Sequence, residues 1–274
     1  MKITLIEPRG FCFGVCRALK MLDEQVQKRP YVLHEIVHNK QIIKDYQAKG
    51  VTFVDDLSAV PDGAQLVLSA HGVAKSVEAQ ARVRFNVTDT TCPFVAKIHT
   101  WIRKLESQNI PVILIGKANH AEIIGSLGQL KHPEKAFIIS DINDVQKLPD
   151  MPCVGIATQT TLSVRDTAHI IEAIKQRFDQ VILQSGICLA TQERQKAVEN
   201  AAKTHKMILV VGDEKSSNAK RLVETAKNAG AAALLIEKVQ DLQQVNLPDS
   251  VAITAAASAP ETIVLQVYEA LKNK

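Results

Sequence analysis

Pro8-Arg9-Gly10-Phe11-Cys12-Phe13-Gly14-Val15-Cys16-Arg17 is the stretch around which the chain turns. The apolar run Ile3-Thr4-Leu5-Ile6 enters it as a strand, and Val15, Leu19, Leu22 and Val26 leave it with helical spacing. Cys12 therefore falls at a strand-to-helix junction, where helix N–H groups favour thiolate over thiol. The same arrangement recurs at Asp89-Thr90-Thr91-Cys92-Pro93 and at Ser185-Gly186-Ile187-Cys188. That triplication organises the rest of the sequence.

Working outward, each junction cysteine opens a helix, expected to run to about residues 27, 107 and 203, and an apolar strand follows at 31–33, 112–115 and 207–211. Behind each strand lies a polar loop: His38-Asn39, His120-Ala121-Glu122 and Ser216-Ser217-Asn218. A second helix and strand (51–54, 136–139, 233–236) lead to a Pro-Asp turn at Pro61-Asp62, Pro149-Asp150 and Pro248-Asp249. A third strand then opens into Ser69-Ala70-His71-Gly72, Thr158-Gln159-Thr160-Thr161 and Ala257-Ser258-Ala259-Pro260, each followed by a helix. The intervals between corresponding landmarks lengthen together along the chain, as a threefold repeat requires.

The first two units end on a further strand (85–88, 181–183) before the next cysteine, whereas the third stops after its helix at 262–271. The strand it lacks is 3–6, at the N-terminus. Continuous apolar strands alternating with helices imply parallel sheets covered on both faces. The expected fold is therefore α/β: three pseudo-threefold-related units, 10–92, 93–187 and 188–274 plus 1–9, with the N-terminal strand completing the third. In parallel sheets ligands bind beyond the carboxyl ends of the strands. All the polar loops sit on that edge, and three edges facing one centre would gather the cysteines, histidines and hydroxyls.

The bulk composition narrows the chemistry. With 274 residues, 46% hydrophobic and 23% charged, the chain has the make-up of an ordinary globular protein. No apolar run approaches the ~20 residues of a membrane span. Glu7, Pro8 and Arg9 cut short any signal peptide, so the cytoplasm is the expected compartment. A net charge of +4 mildly favours anionic ligands, while aromatics at 4% and the lack of Lys/Arg runs argue against nucleic acid.

Five cysteines in such a chain point to metal binding or catalysis rather than disulfides. Cys12, Cys92 and Cys188, with no fourth partner in matching position, suit an iron–sulfur cluster better than structural zinc, which takes four ligands at short spacing. Three buried core cysteines are the alternative reading. Cys153, in the strand Cys153-Val154-Gly155-Ile156, reads as core; Cys16 reads as a packed or adjacent thiol, with an accessory ligand as the alternative.

His34-Glu35-Ile36-Val37-His38 matches the zinc-protease pattern, but it continues the strand 31–33. On a strand the two histidines stand ~13 Å apart, too far to share a zinc. His38, His71 and His120, with Thr160, Ser216, Ser217, Asn218 and Ser258, supply donors for a phosphate or diphosphate. No Walker loop or G-x-G-x-x-G follows any strand. Glu122 reads either as a general acid or as a first-turn glutamate favouring its helix dipole. His99, His132, His169 and His205 read as solvated.

At these motifs, together with Ser69-Ala70-His71-Gly72-Val73 and Thr158-Gln159-Thr160-Thr161-Leu162-Ser163, the chain resembles the 4-hydroxy-3-methylbut-2-enyl diphosphate reductases. The resemblance covers nearly the whole chain and implies three domains around a central [4Fe–4S] cluster, with Cys12, Cys92 and Cys188 as its ligands and one iron open. It implies substrate contacts at His38, His71, His120, Thr160, Ser216, Ser217, Asn218 and Ser258. Glu122 becomes the proton-delivering acid, with Thr160 relaying or orienting the proton. The implied reaction removes the allylic hydroxyl with two electrons, from ferredoxin or flavodoxin, and two protons, yielding isopentenyl and dimethylallyl diphosphates. Phe13, Cys16, Ala121, Leu189, Glu193 and Ala256 depart from the family's usual pattern. Two other duties fit the same scaffold: an iron–sulfur redox or sensor protein, and a binding protein for phosphorylated metabolites.

Overall fold

The computed structural model describes residues 2–184, 186–243 and 245–273; Met1, Ser185 of the third cysteine motif, Gln244 and Lys274 lie outside the described residues. The chain opens with β1 (Lys2–Leu5) and α1 (Phe13–Asp23), then β2 (Tyr31–Leu33), α2 (Lys40–Ala48), β3 (Thr52–Val54), β4 (Gln65–Leu68), α3 (Lys75–Arg84) and β5 (Asn86–Asp89). Next come α4 (Pro93–Ser107), β6 (Val112–Ile115), α5 (Ala121–Leu127), β7 (Phe137–Ile139), β8 (Cys153–Thr158), α6 (Val164–Arg177) and β9 (Gln180–Leu183). It closes with α7 (Leu189–Ala202), β10 (Met207–Val211), α8 (Ser217–Asn228), β11 (Ala232–Ile236), β12 (Ser250–Ala255) and α9 (Glu261–Lys272).

These strands form three four-stranded sheets, ordered β3-β2-β4-β5, β7-β6-β8-β9 and β11-β10-β12-β1. Every pairing is parallel. The order is the same in all three, provided β1 takes the fourth place in the last. It does so in register, with Ile3 opposite Val251 and Leu5 opposite Ile253. The fold is thus a threefold-repeated α/β architecture whose first strand completes the last sheet.

Side-chain alternation along the strands explains why both faces are covered. Leu209, Val211, Val251 and Ile253 pack with Val264, Val267 and Leu271 of α9, while Ile208, Val210 and Ala252 pack with Val198 of α7 and Leu222 of α8. In the β7-β6-β8-β9 sheet, Ile113, Ile115 and Ile156 meet α6 through Ile170 and Ile174. Val112, Leu114 and Ala157 meet α4 through Ile98, Ile102 and Leu105.

Contacts divide the chain into two compact units. One comprises Met1–Cys16, His38–Ile42 and Cys188–Lys274; the other comprises Arg17–Val37 and Ile43–Ile187. Among the described residues no helix is long and apolar enough to cross a membrane.

Three local expectations are corrected. The strand of residues 31–33 does not continue into His34, which takes a left-handed conformation (φ 62°) that turns the chain. The protease pattern there lies in irregular chain, not on a strand, and no helix carries it. The first helix stops at Asp23, short of residue 27. His99 and His205 are buried rather than solvated: His99 sits on the inner face of α4, and His205 Nε2 lies 2.9 Å from the Thr4 hydroxyl.

Candidate active site

In the second unit, β6 and β8 are neighbours, with Ile115 opposite Thr158, so the loops leaving their carboxyl ends run side by side. One loop leads into α5. His120 is the N-cap of that helix, its Nδ1 accepting the Glu122 N–H at 3.2 Å, and Glu122 occupies the first turn. The other loop brings Thr160, whose main-chain N–H donates to Glu122 Oε1 at 2.7 Å and whose hydroxyl donates to Oε2 at 2.8 Å. Gln159 braces the pair of loops by accepting the Lys117 N–H at 3.2 Å and donating to the Thr161 hydroxyl at 2.9 Å.

Glu122 is fully enclosed, and burial pushes its carboxyl up to about 7 from an ordinary 4.5, against the opposing pull of the two Thr160 hydrogen bonds. Glu122 lies in the first turn of its helix, and its raised pKa leaves the carboxyl partly protonated near neutral pH.

His71 follows β4 and meets His120 edge to face, with ring centroids 6.0 Å apart. Glycine makes this approach feasible. A Cβ on Gly125 would lie 2.8 Å from the Gly72 carbonyl oxygen, and Gly72 itself is left-handed (φ 75°). Cys92 is the N-cap of α4, partly buried, and its N–H donates to the Ala70 carbonyl at 3.0 Å.

In the first unit, β10 and β12 are neighbours, and the loops after them meet in the same manner. Ser216 caps α8 by accepting the Ala219 N–H at 3.3 Å. Ser217 opens the helix, and Asn218 Oδ1 accepts the Ala257 N–H at 3.1 Å. The Asn218 Nδ2 group is buried without a hydrogen-bond partner among the described residues. Ser258 donates its hydroxyl to the His38 carbonyl at 3.0 Å, and Asn39 Nδ2 donates to the Ser258 carbonyl at 3.0 Å. His38, Ser216, Ser217, Asn218 and Ser258 are thereby drawn into one loop cluster.

Cys12 and Cys188 both belong to this unit, and both are partly buried and precede helices, with no disulfide. The Cys12 N–H donates to the Ala257 carbonyl at 3.1 Å, and Cys188 Sγ lies 3.1 Å from the Thr191 hydroxyl. Cys16 is exposed, and Cys153 is partly buried at the start of β8.

Among the described residues no three His, Cys, Asp or Glu side chains gather into a metal centre. The donor chemistry of the three junction cysteines nevertheless fits a thiolate-bound cluster: none is in a disulfide, none is exposed, and each directly precedes a helix. Two partners went unread in the sequence. Thr191 and Arg194 are both buried polar residues. The signal for them is their place on α7, where Thr191, Arg194, Gln195 and Val198 form its buried stripe.

The fold and these loops define a parallel α/β protein with thiols, histidines and a buried acid at the carboxyl edges of its sheets. The LytB protein family matches residues 3–272. The chain belongs to that family. It is 43% identical to the 4-hydroxy-3-methylbut-2-enyl diphosphate reductase of Methylibium petroleiphilum, over 98% of this chain and 84% of that protein. Against the enzyme of the same name from Actinobacillus pleuropneumoniae serotype 5b, identity is 40% over 100% and 90%. Among solved structures, the Plasmodium falciparum E-1-hydroxy-2-methyl-but-2-enyl-4-diphosphate reductase superposes with a TM-score of 0.93 at 36% identity, over 99% of this chain and 88% of that one. A structure described as (E)-4-hydroxy-3-methyl-but-2-enyl diphosphate reductase, the terminal enzyme of the non-mevalonate pathway, gives 0.73 at 29% identity, with both chains fully covered.

Proposed function

We propose that this chain reduces 4-hydroxy-3-methylbut-2-enyl diphosphate to isopentenyl and dimethylallyl diphosphates in the cytoplasm, with a [4Fe–4S] cluster held by Cys12, Cys92 and Cys188. The observation that carries the reading is the enclosed Glu122 carboxyl, held by Thr160 and poised to release a proton near neutral pH. The likeness to reductases of this name over the full chain supports the substrate.

The balance is substrate plus two electrons plus two protons giving either product and water. When bound, the cluster supplies the electrons, delivered by ferredoxin or flavodoxin, and an iron able to act as a Lewis acid. The protein's residues do the rest. The diphosphate is taken by His38, Ser216, Ser217, Asn218 and Ser258, where the Asn218 Nδ2 group, without a partner among the described residues, and the α8 N-terminus offer donors to an anion. His71 and His120 add further donors. Glu122 gives up its proton to the departing hydroxyl, which otherwise leaves as a poor leaving group. Thr160 aims the carboxyl and relays or orients the proton.

Anaerobic reconstitution with iron and sulfide, followed by assay with a strong artificial reductant, tests the proposal. Consumption of the allylic diphosphate with formation of both products is expected. Cluster-loaded protein without turnover would instead favour a redox or sensor role, and protein that stays colourless but binds the diphosphate would favour a metabolite-binding role.

A further inference from the structure

Arg194 stands where an apolar residue would serve packing: on the inner stripe of α7, 3% exposed, in the helix that Cys188 precedes. Burying a guanidinium is costly unless charge and hydrogen bonds offset it. Its Nη2 donates to the Gly10 carbonyl at 2.8 Å and its Nη1 to the Ala190 carbonyl at 3.1 Å, while its Nε is buried without a partner among the described residues. Neither hydrogen-bond acceptor is a carboxylate. Burial weakens its hold on the proton, and the charges that oppose this are Cys12 and Cys188 first, then Glu193 and Glu7.

The Gly10 end of this contact is itself firmly placed. Gly10 is left-handed (φ 70°), and the Glu261 carboxylate lies 3.3 Å from where its Cβ would stand. Arg9 donates from Nε to that same Glu261 at 2.8 Å, and the Cys12 N–H is fixed to Ala257. One fork thus joins the turn before Cys12 to the helix after Cys188, and both of its acceptors are neutral carbonyls.

We infer that Arg194 is a positioning residue of the cluster site: it ties the Cys12 turn to the Cys188 helix and supplies the buried positive charge that a thiolate-bound cluster offsets. This rests on the cluster reading given under Proposed function. Net charge near an iron–sulfur cluster sets its reduction potential, and residues behind the ligands set its retention. Removing the cation disfavours the reduced, more negative cluster, so the potential falls.

The test compares the anaerobically reconstituted parent with Arg194→Met and Arg194→Lys, reading iron content, the rate of cluster loss to a chelator, and the reduced fraction at a fixed poise by electron paramagnetic resonance. Arg194→Met is expected to lose its cluster at least about tenfold faster. Its ratio of reduced to oxidised cluster is expected to fall about tenfold, equivalent to about 59 mV for one electron. Arg194→Lys keeps the charge but not the fork, so its ratio returns to the parent's while its cluster is still lost faster. A folded Arg194→Met with the parent's ratio and loss rate overturns the inference, as does an Arg194→Lys whose ratio stays with Met. If Arg194→Met does not fold, Arg194→Lys decides: faster loss at the parent's ratio supports the tie, and a parental loss rate overturns it. A parent that takes up no iron overturns the cluster reading itself, and iron analysis separates that result from the others.

Discussion

Thr160 holds both carboxyl oxygens of Glu122, one through its main-chain N–H and one through its hydroxyl, and nothing else need move for the acid to be aimed. A positioned acid contributes about 10²–10⁴-fold to such a step. Glu122→Gln is therefore expected to keep the cluster and to bind the allylic diphosphate, but to turn over at least about 10²-fold more slowly. Because the donating form is the protonated one, the parent's kcat should fall as pH rises above about 7, where the raised carboxyl ionises. The residual kcat of Glu122→Gln should lack that limb. A near-normal kcat in the variant leaves Glu122 as a helix-terminus residue only.

The thiols separate by exposure and by place in the fold. Cys12, Cys92 and Cys188 directly precede helices at the carboxyl edges of sheets, whereas Cys153 begins β8 at the opposite end of its sheet and Cys16 is exposed on α1. Serine at any of the first three should abolish the cluster or nearly all activity. Cys153→Ser and Cys16→Ser should keep a full complement of iron. Iron-free Cys16→Ser beside iron-replete Cys188→Ser would reverse the ligand assignment.

Gly125 is a point of close approach that no side chain can relieve. A Cβ there meets the main-chain carbonyl of Gly72, next to His71, and a carbonyl cannot rotate out of the way as a side chain can. Gly125→Ala should lower stability by about 1–3 kcal/mol, the usual cost of overpacking. By displacing the His71 turn it should also raise KM more than it lowers kcat. A thermal melt and a KM equal to the parent's would show that the loop tolerates the shift.

What the sequence made legible and what it hid follow from the same physics. The apolar strands Val112–Ile115 and Met207–Val211 and the recurring cysteine junctions carry period and spacing, so the sheets and the place of β1 could be read directly. His34 was read as strand because nothing in its residue type announces a left-handed turn. Glu122 and Thr160 were each visible in a post-strand loop, but their pairing depends on β6 and β8 lying side by side. Arg194 was invisible because arginine on an amphipathic helix ordinarily faces water, and only the packed α7 places it inward. His99 was hidden for the same reason on α4.

That buried histidine leads to an expectation about stability. Burial, with the nearby Arg103 charge adding to it, lowers the pKa of His99 from 6.5 to about 4, and its Nε2 has no partner among the described residues. Between those pH values the unfolded chain binds a proton at this residue and the native chain does not, so stability rises with pH across about 4 to 6.5. Glu122 acts in the opposite sense. Its carboxyl is raised from 4.5 to about 7, so between those values the native chain holds a proton that the unfolded chain has released, and stability falls with pH. Each slope is about 1.4 kcal/mol per pH unit at full effect. From about pH 4.5 to 6.5 the two overlap and cancel. Relative to the parent, Glu122→Gln should therefore gain stability as pH rises through this window, and His99→Gln should lose it. Melting temperatures of the three proteins, loaded identically and measured across the window, check both signs. Parallel curves for all three would mean that neither group changes its protonation on unfolding.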